Sequence, residues 1–143
     1  ELLVERQSKA IESLISETHA TIRLNKPLTR IYANERLLSQ CLLNLITNAI
    51  YYRDLDRVPI IEIDTDSDDL HTILSVRDNG LGIDEKYHEQ IFRLFERLSI
   101  GQGTGVGLTI VKTVMDKHQG EVSLKSELGS GSCFYLRFPR LVD

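Results

Sequence analysis

Apolar side chains recur every three or four residues in several stretches of this 143-residue chain, which predicts amphipathic helices. The first stretch covers residues 2–17. The second follows Asn34, a typical N-cap residue, and carries a broad apolar stripe along Leu37–Ile50. Later stretches predict a short helix over Ile91–Leu98 and another helix that follows a glycine-rich loop and ends at Gly120.

Apolar and polar residues alternate in shorter segments, which predicts strands with one buried face. These segments are Ala20–Leu24, Thr29–Tyr32, Val58–Asp66, Thr72–Asp78, Glu121–Ser126 and Cys133–Phe138. The turns predicted between paired strands are Asn25-Lys26-Pro27, the acidic run Asp66–Asp69 and Gly129-Ser130-Gly131. Because helices and paired strands are mixed along the chain, we expect an α/β fold: a two-layer α/β sandwich whose mixed sheet is covered on one face by helices.

Composition and charge indicate one ordinary soluble domain. Hydrophobic residues make up 41% of the chain and charged residues 27%. The formal net charge of -4 argues against a nucleic-acid partner, and no apolar run reaches the length of a membrane span. Since the chain begins with Glu1 rather than Met, we expect a piece of a longer protein, with residues 1–18 as the end of a helix or linker and residues 19–143 as one domain. Cys41 and Cys133 lie in apolar segments, which favours buried free thiols.

The segment Asp78-Asn79-Gly80-Leu81-Gly82 ends a predicted strand. Asp78 follows Leu74 and Val76 with a period of two, so its carboxylate is expected on the same apolar face. A carboxylate there is costly unless it accepts hydrogen bonds, and the exocyclic amine of adenine can donate one. The glycines let the backbone approach a ligand closely. A strand that ends in a tight turn remains an equally good interpretation of this segment alone.

A second glycine-rich segment, Gly103-Thr104-Gly105-Val106-Gly107-Leu108, opens onto a predicted helix. Bare backbone N–H groups at a helix N-terminus form an anion site, which suits a triphosphate. The segment is not a P-loop, because no Gly-Lys-Ser/Thr follows it. It is not a Rossmann fingerprint either, because no strand directly precedes it. A glycine-rich loop alone is a weak signal.

Two asparagines interrupt the apolar stripe of the second helix. Asn44 and Asn48 are four residues apart, so they lie on one helix face. An amide oxygen is a hard ligand that suits Mg²⁺ alongside phosphate oxygens. For either asparagine alone, an exposed or capping amide is the better interpretation.

Taken in order, these three segments resemble the N, G1 and G2 boxes of the ATP-binding catalytic domain of sensor histidine kinases. That domain belongs to the Bergerat-fold (GHKL) superfamily, which also contains gyrase, heat-shock proteins of the Hsp90 type and MutL. The helix Ile91-Phe92-Arg93-Leu94-Phe95 matches the F box, and Gly129-Ser130-Gly131-Ser132-Cys133-Phe134 matches the closing Gly-x-Gly-Thr/Ser-x-Phe motif. The resemblance covers about residues 29–140.

The resemblance implies a role for each matching residue. Asn48 would coordinate Mg²⁺, with Asn44 lining the same region, and Asp78 would receive the adenine amine. Ser132 would help to hold the network near adenine, and Phe95 would anchor a mobile lid over residues 84–104. The further residues that the resemblance places around ATP are Tyr51, Gly80, Gly82, Ile83, Gly103, Thr104, Gly105, Val106, Gly107 and Leu108, the last of these starting the helix behind the phosphates.

The chain departs from the family pattern in three places, one of which is the short segment between Phe95 and Gly103. Tyr51 stands where the family usually has a Lys or Arg that reaches a phosphate, with Arg53 and Arg97 as candidate replacements. No histidine has the sequence context of a phosphoacceptor: His88-Glu89 starts like one, but it lies in the F-box helix and no Arg-x-Pro follows. We therefore expect the catalytic half alone, acting on a histidine-bearing dimerisation domain of the same protein.

Three functions compete. The first is a histidine kinase domain that transfers the γ-phosphate of Mg-ATP to a histidine, for relay to a response regulator. The second is an ATPase of the gyrase or Hsp90 type, or a serine kinase of the anti-sigma type, but the glutamate that activates water in those relatives is replaced here by Asn44, and an amide cannot act as a general base. The third is a nucleotide-binding or partner-docking module without transfer activity, which Tyr51 favours. We expect a monomeric, cytoplasmic domain whose parent protein is either membrane-anchored or soluble.

Overall fold

The computed structural model of the chain describes residues 16, 18–24, 31, 33–84 and 105–140, with the backbone alone described at Tyr51 and at 105–109. The elements in chain order are β1 (Thr21–Leu24), α1 (Glu35–Tyr51), β2 (Ile60–Ser67), β3 (His71–Asp78), α2 (Gly105–Lys117), β4 (Glu121–Glu127) and β5 (Gly131–Pro139). Their existence and type agree with the sequence prediction, and the ends of the strands differ by one or two residues. The predicted helix over 91–98, the predicted turn 25–27 and most of the predicted helix 2–17 and strand 29–32 lie outside the described residues.

The strands form one mixed sheet in the order β1-β2-β3-β5-β4. Strand β1 runs parallel to β2, and every other neighbouring pair is antiparallel. Strand β3 is central, and Asp78 at its end lies opposite Ile61 on one side and Ser132 on the other. The α/β sandwich with a mixed sheet is therefore confirmed.

Both helices pack on one face of the sheet and against each other. The side chains that alternate along β3 decide which face this is, since Leu74 and Val76 are buried whereas Arg77 is exposed. The most fully buried large side chains of the core are Leu45, Ile50, Ile61, Leu74, Met115, Leu136 and Phe138. Charged and polar residues of the alternate positions cover the opposite face, hereafter the open face.

Helix α1 begins as its sequence predicts. Asn34 has extended backbone angles, and its side-chain oxygen accepts a hydrogen bond from the N–H of Leu37 at 3.1 Å. The backbone N–H of Asn34 itself donates to Nε2 of His118 at 3.0 Å, while Nδ1 of His118 lies 2.8 Å from the carbonyl oxygen of Val114. His118 thus uses both ring nitrogens to join the start of α1 to the end of α2.

The end of α2 differs in detail from the prediction. The residue in the left-handed region is Gln119 (φ 57°) rather than Gly120. The N–H of Gly120 bonds to the carbonyl of Met115 at 2.8 Å, which closes a Schellman-type cap. Gly120 is needed for space instead, because a Cβ there would lie 2.4 Å from the carbonyl oxygen of Arg137.

The two cysteines are confirmed as buried free thiols. Cys41, on the core-facing side of α1, is fully buried, and this burial raises the pKa of its thiol to about 11. Among the described residues, no helix is long and apolar enough to cross a membrane.

Candidate nucleotide-binding site

The end of α1 carries the two predicted asparagines towards the end of strand β3. Asn44 and Asn48 are both partly buried and share a helix face. The carbonyl of Asn48 accepts a hydrogen bond from the N–H of Tyr52 at 3.0 Å, and the carbonyl of Tyr52 accepts one from the N–H of Leu81 at 3.0 Å. A Cβ at Gly80 would lie 2.7 Å from the same Tyr52 oxygen. The helix end and the loop after Asp78 are therefore in direct contact, as a shared site requires.

Asp78 lies on the helix-covered face, as its sequence period predicts. One carboxylate oxygen, Oδ1, accepts hydrogen bonds from the N–H of Gly80 at 2.9 Å and the N–H of Ser132 at 3.2 Å. Within the described part of the chain, the other oxygen, Oδ2, has no hydrogen-bond donor. Burial raises the pKa of Asp78 to about 6, and the two backbone hydrogen bonds only partly oppose this rise. A desolvated carboxylate with one oxygen still to be satisfied fits the amine of an adenine base.

Two serine hydroxyls support the region around Asp78. Ser132 is buried, and its hydroxyl lies 2.7 Å from that of Ser126. The hydroxyl of Ser126 also accepts a hydrogen bond from the N–H of Ile83 at 2.7 Å and donates one to the carbonyl of Gly131 at 3.0 Å. Ser132 therefore bonds to Asp78 through its backbone, while its hydroxyl connects to the neighbouring strand and, through Ser126, to the loop that contains Ile83.

Two glycines allow backbone segments to pack closely against each other at this end of the sheet. Gly82 has φ +78°, and a Cβ there would lie 2.2 Å from the carbonyl oxygen of Glu127. Gly131 has φ +122°, and a Cβ there would lie 2.1 Å from the carbonyl oxygen of Asp78. A side chain at Gly131 would thus displace the backbone that carries the candidate base-binding carboxylate.

The second glycine-rich segment is only partly described. Helix α2 begins at Gly105, so Val106, Gly107 and Leu108 belong to its first turn, and the helix starts three residues before Leu108. The N–H groups of a helix's first turn have no partner within the helix, and the positive end of the helix dipole lies there. Gly103 and Thr104, together with Phe95 and the side chain of Tyr51, lie outside the described residues.

Comparison with known proteins identifies the domain. Residues 33–142 match the family model described as "Histidine kinase-, DNA gyrase B-, and HSP90-like ATPase". The chain belongs to this family. In sequence it is 38% identical over 137 residues to "Cyanobacterial phytochrome B" of Nostoc sp., and the match covers 93% of this chain but only 18% of that protein.

Solved structures agree with this assignment. The fold matches the "Catalytic domain of histidine kinase ThkA" with a TM-score of 0.76 and 25% identity, and the match covers 96% of this chain and 91% of that one. It also matches full-length ShkA in complex with AMPPNP with a TM-score of 0.78 and 26% identity, covering 99% of this chain and 30% of that one. Sequence and fold together place the chain among the histidine kinase catalytic domains of the family.

Sequence reasoning missed the residues of this histidine-kinase-type domain that hold the Asp78 loop in place. Asn79 accepts a hydrogen bond from the N–H of Ile60 at 2.9 Å and donates one to the carbonyl of Val58 at 3.0 Å. Ser126 and Arg57 bond to the same region from distant parts of the chain. Arg53, a candidate phosphate ligand, donates from Nη1 to the carbonyl of Ile50 at 2.9 Å, so part of its guanidinium caps α1. No sequence spacing links these residues, because their partners become neighbours only in the folded sheet.

A concavity of about 410 Å³ lies on the open face at this end of the sheet. Its lining includes Arg23, Glu62, Arg77, Lys125 and Glu127. Glu62 lies between the buried Ile61 and Ile63, and Arg77 follows the buried Val76, so these two side chains point away from the helices. Asp78, Ser126 and Ser132 also line it, so the concavity reaches the end of β3 that carries the candidate site.

Proposed function

We propose that the chain binds ATP between the helix layer and the end of strand β3, with the carboxylate of Asp78 accepting a hydrogen bond from the adenine amine. Oδ2 of Asp78, which receives no hydrogen bond from the described residues and belongs to a desolvated carboxylate in the helix-covered layer, carries this proposal. The likeness to ShkA bound to AMPPNP, an ATP analogue, supports it. Ile83 and Ser132 line the same region, since Ser126 and the Asp78 loop connect them.

The phosphates are proposed to lie at the N-terminus of α2, because its first turn offers backbone N–H groups and a favourable dipole. The segment from Gly103 to Gly107 would border them. Asn48 is proposed to ligate Mg²⁺ through its amide oxygen, with Asn44 one turn earlier on the same face. Bound Mg²⁺ would neutralise phosphate charge during transfer.

We further propose that the domain transfers the γ-phosphate of ATP to a histidine on a dimerisation domain of its parent protein, for relay to a response regulator. A neutral imidazole is already a nucleophile, so the chain has to position ATP rather than supply a base. The amide of Asn44 fits this reaction better than hydrolysis, because it cannot deprotonate water. In such a parent the domain would be cytoplasmic.

Titration calorimetry tests the binding proposal. ATP and a non-hydrolysable analogue would be titrated into the chain with and without Mg²⁺. Asp78→Asn is expected to weaken binding by about tenfold to one-hundredfold, because it replaces a charged acceptor of a buried hydrogen bond. Asn48→Ala is expected to bind ATP normally without Mg²⁺ and to lose the increase in affinity that Mg²⁺ provides. Absence of binding at millimolar nucleotide would exclude the proposal and favour a partner-docking module.

Transfer is tested by mixing the chain with a separate histidine-bearing domain and radiolabelled ATP. We expect acid-labile label on that domain and slow release of free phosphate. The control domain carries glutamine in place of its phosphoacceptor histidine and should remain unlabelled. Nucleotide binding without any label transfer would instead support a nucleotide-binding module without kinase activity, and fast phosphate release without labelling would support an ATPase.

A further inference from the structure

Arg57, in the loop between α1 and β2, contacts one carboxylate of its own loop and two backbone carbonyls beside the candidate site. Its Nη2 atom lies 2.8 Å from Oδ2 of Asp54, 2.7 Å from the carbonyl oxygen of Gly129 and 3.3 Å from the carbonyl oxygen of Gly80. Two N–H groups serve three acceptors, so one hydrogen bond is shared, and the longest contact is the one to Gly80. The guanidinium thereby bridges the loop after β3 and the turn between β4 and β5.

The loop that carries Arg57 is itself fixed on both sides. Before Arg57, the carbonyl of Tyr52 is bonded to the N–H of Leu81 at 3.0 Å. After Arg57, the side chain of Asn79 bonds to Val58 and Ile60. The guanidinium is oriented in turn by Asp54, whose pKa is lowered by a backbone hydrogen bond from Asp56 and then by Arg57. Arg57 therefore acts as an anchored bridge rather than as a loosely tethered cation.

Both segments that Arg57 holds supply the donors to Asp78. Gly80 donates its own N–H to Oδ1 of Asp78. Gly129 lies three residues before Ser132, whose N–H donates to the same oxygen. The peptide carbonyls of Gly80 and Gly129 thus connect Arg57 to both hydrogen bonds that orient the carboxylate.

We propose that Arg57 is a positioning residue that sets the orientation of the Asp78 carboxylate and hence the preference of the site for adenine. This inference rests on the proposed base recognition by Asp78. Arg57 bonds to the carbonyls of Gly80 and Gly129, whereas the carboxylate of Asp78 is bonded by backbone N–H groups, so Arg57 acts through the loops. A planar guanidinium with several fixed donors can bridge three acceptors, which a lysine ammonium reproduces only in part.

The experiment compares ATP with inosine triphosphate, which carries a 6-oxo group in place of the amine. Dissociation constants for both nucleotides are measured by calorimetry on the unmodified chain and on Arg57→Gln and Arg57→Lys, together with melting temperatures. The matched control is Arg140→Gln, because Nη1 of Arg140 donates to the carbonyl of Asp68 at 2.6 Å beside the β2–β3 hairpin, at the other end of the sheet.

We expect Arg57→Gln to reduce the preference for ATP over inosine triphosphate by about fivefold to tenfold, which corresponds to one misaligned hydrogen bond. Arg57→Lys should recover part of the preference, and Arg140→Gln should leave it unchanged. If Arg57 had a merely structural role, Arg57→Gln would lower the melting temperature and weaken the binding of both nucleotides equally. An unchanged preference in Arg57→Gln therefore overturns the inference. If Arg57→Gln does not fold, an unaltered preference in Arg57→Lys has the same meaning.

The outcome for the unmodified chain separates this inference from the proposed function. Equal affinity for ATP and inosine triphosphate in the unmodified chain would refute amine recognition by Asp78 itself. A clear preference in the unmodified chain that Arg57→Gln retains would refute only the role of Arg57. An equal loss of preference in Arg140→Gln would show a global effect and would also overturn that role.

Discussion

At the scale of single residues, Asp78 is a carboxylate held in an environment that disfavours its charge. Its neighbours on the same face of β3 are the buried Leu74 and Val76. Two backbone N–H groups satisfy one oxygen and leave the pKa raised to about 6. Such a group contributes more to a binding site than to folding, because a ligand can supply the missing hydrogen bond.

Nucleotide affinity should therefore depend on the protonation of Asp78. A protonated carboxyl is a weaker acceptor for an amine, so ATP affinity is expected to fall by roughly fivefold to tenfold per pH unit as pH decreases below about 6. Calorimetric titration at pH 5 to 8 measures this dependence. The phosphates of ATP also titrate in this range, and Asp78→Asn provides the control, because its profile retains the phosphate contribution alone. Coincident profiles for the two proteins would contradict the prediction.

At the scale of elements, the turn between β4 and β5 shows how two glycines in one short segment serve different needs. Gly129 and Gly131 both have positive φ, at +85° and +122°. Nothing lies within 4 Å of a Cβ built on Gly129, whereas a Cβ on Gly131 would meet the backbone of Asp78. The first glycine supplies a turn conformation and the second also supplies space.

Alanine substitutions should separate these two roles. Gly129→Ala is expected to reduce the free energy of unfolding by about 1 kcal/mol, the usual cost of a left-handed residue with a side chain. Gly131→Ala should reduce the free energy of unfolding by roughly 2–4 kcal/mol or more, since the backbone near Asp78 has to move as well. It should also weaken ATP binding. Urea unfolding and calorimetry measure both effects. Equal costs for the two variants would show that the close approach to Asp78 is unimportant.

The helices illustrate what local signals can predict. Asn34 was recognised as the N-cap of α1 from its residue type and the stripe that follows, and the structure confirms it. The role of His118 at the same helix start was missed, because 84 positions separate the two residues in the chain. Likewise, the left-handed residue that ends α2 is Gln119, although the neighbouring glycine is the usual choice.

At the scale of the whole molecule, the sheet has one face covered by helices and one polar face. The desolvation of Asp78 is a cost shared by the entire fold, because the carboxylate becomes fully solvated only when the chain unfolds. The pKa values of Asp54 and Asp68 shift in the opposite direction, because backbone hydrogen bonds lower the pKa of each. The ligand-free domain therefore combines carboxylates with opposing pH dependences.

The contribution of Asp78 to global stability has a definite sign. The folded state holds its proton up to about pH 6, while the ordinary pKa is 3.8, so between these values the folded state binds more protons than the unfolded chain. The free energy of unfolding should then decrease by roughly 1–3 kcal/mol from this group as pH rises from about 4 to 6. Asp78→Asn should be more stable than the unmodified chain at pH 7, with the difference vanishing near pH 4. Urea unfolding of both proteins without nucleotide checks this, and equal stability at every pH would contradict it.

The sequence by itself determined the described elements, the fold class and the family. Hydrophobic periodicity predicted both described helices and the strands β2 to β5, because each element has to bury one face and therefore repeats with its own period. The same argument placed Asp78 on the buried face, since side chains alternate strictly along a strand. The asparagine and glycine motifs are local in sequence, which is why they could be recognised without coordinates.

Only the tertiary structure decided which residues hold those motifs together. Strand order in the sheet brings Ser132 beside Asp78, and loop contacts bring Arg57 to Gly80 and Gly129. That the described residues bond to only one oxygen of Asp78 likewise became visible only in the folded chain. Hydrogen bonds between distant segments leave no periodic trace in a single sequence, because the partners need only the right donors and acceptors at one point in space.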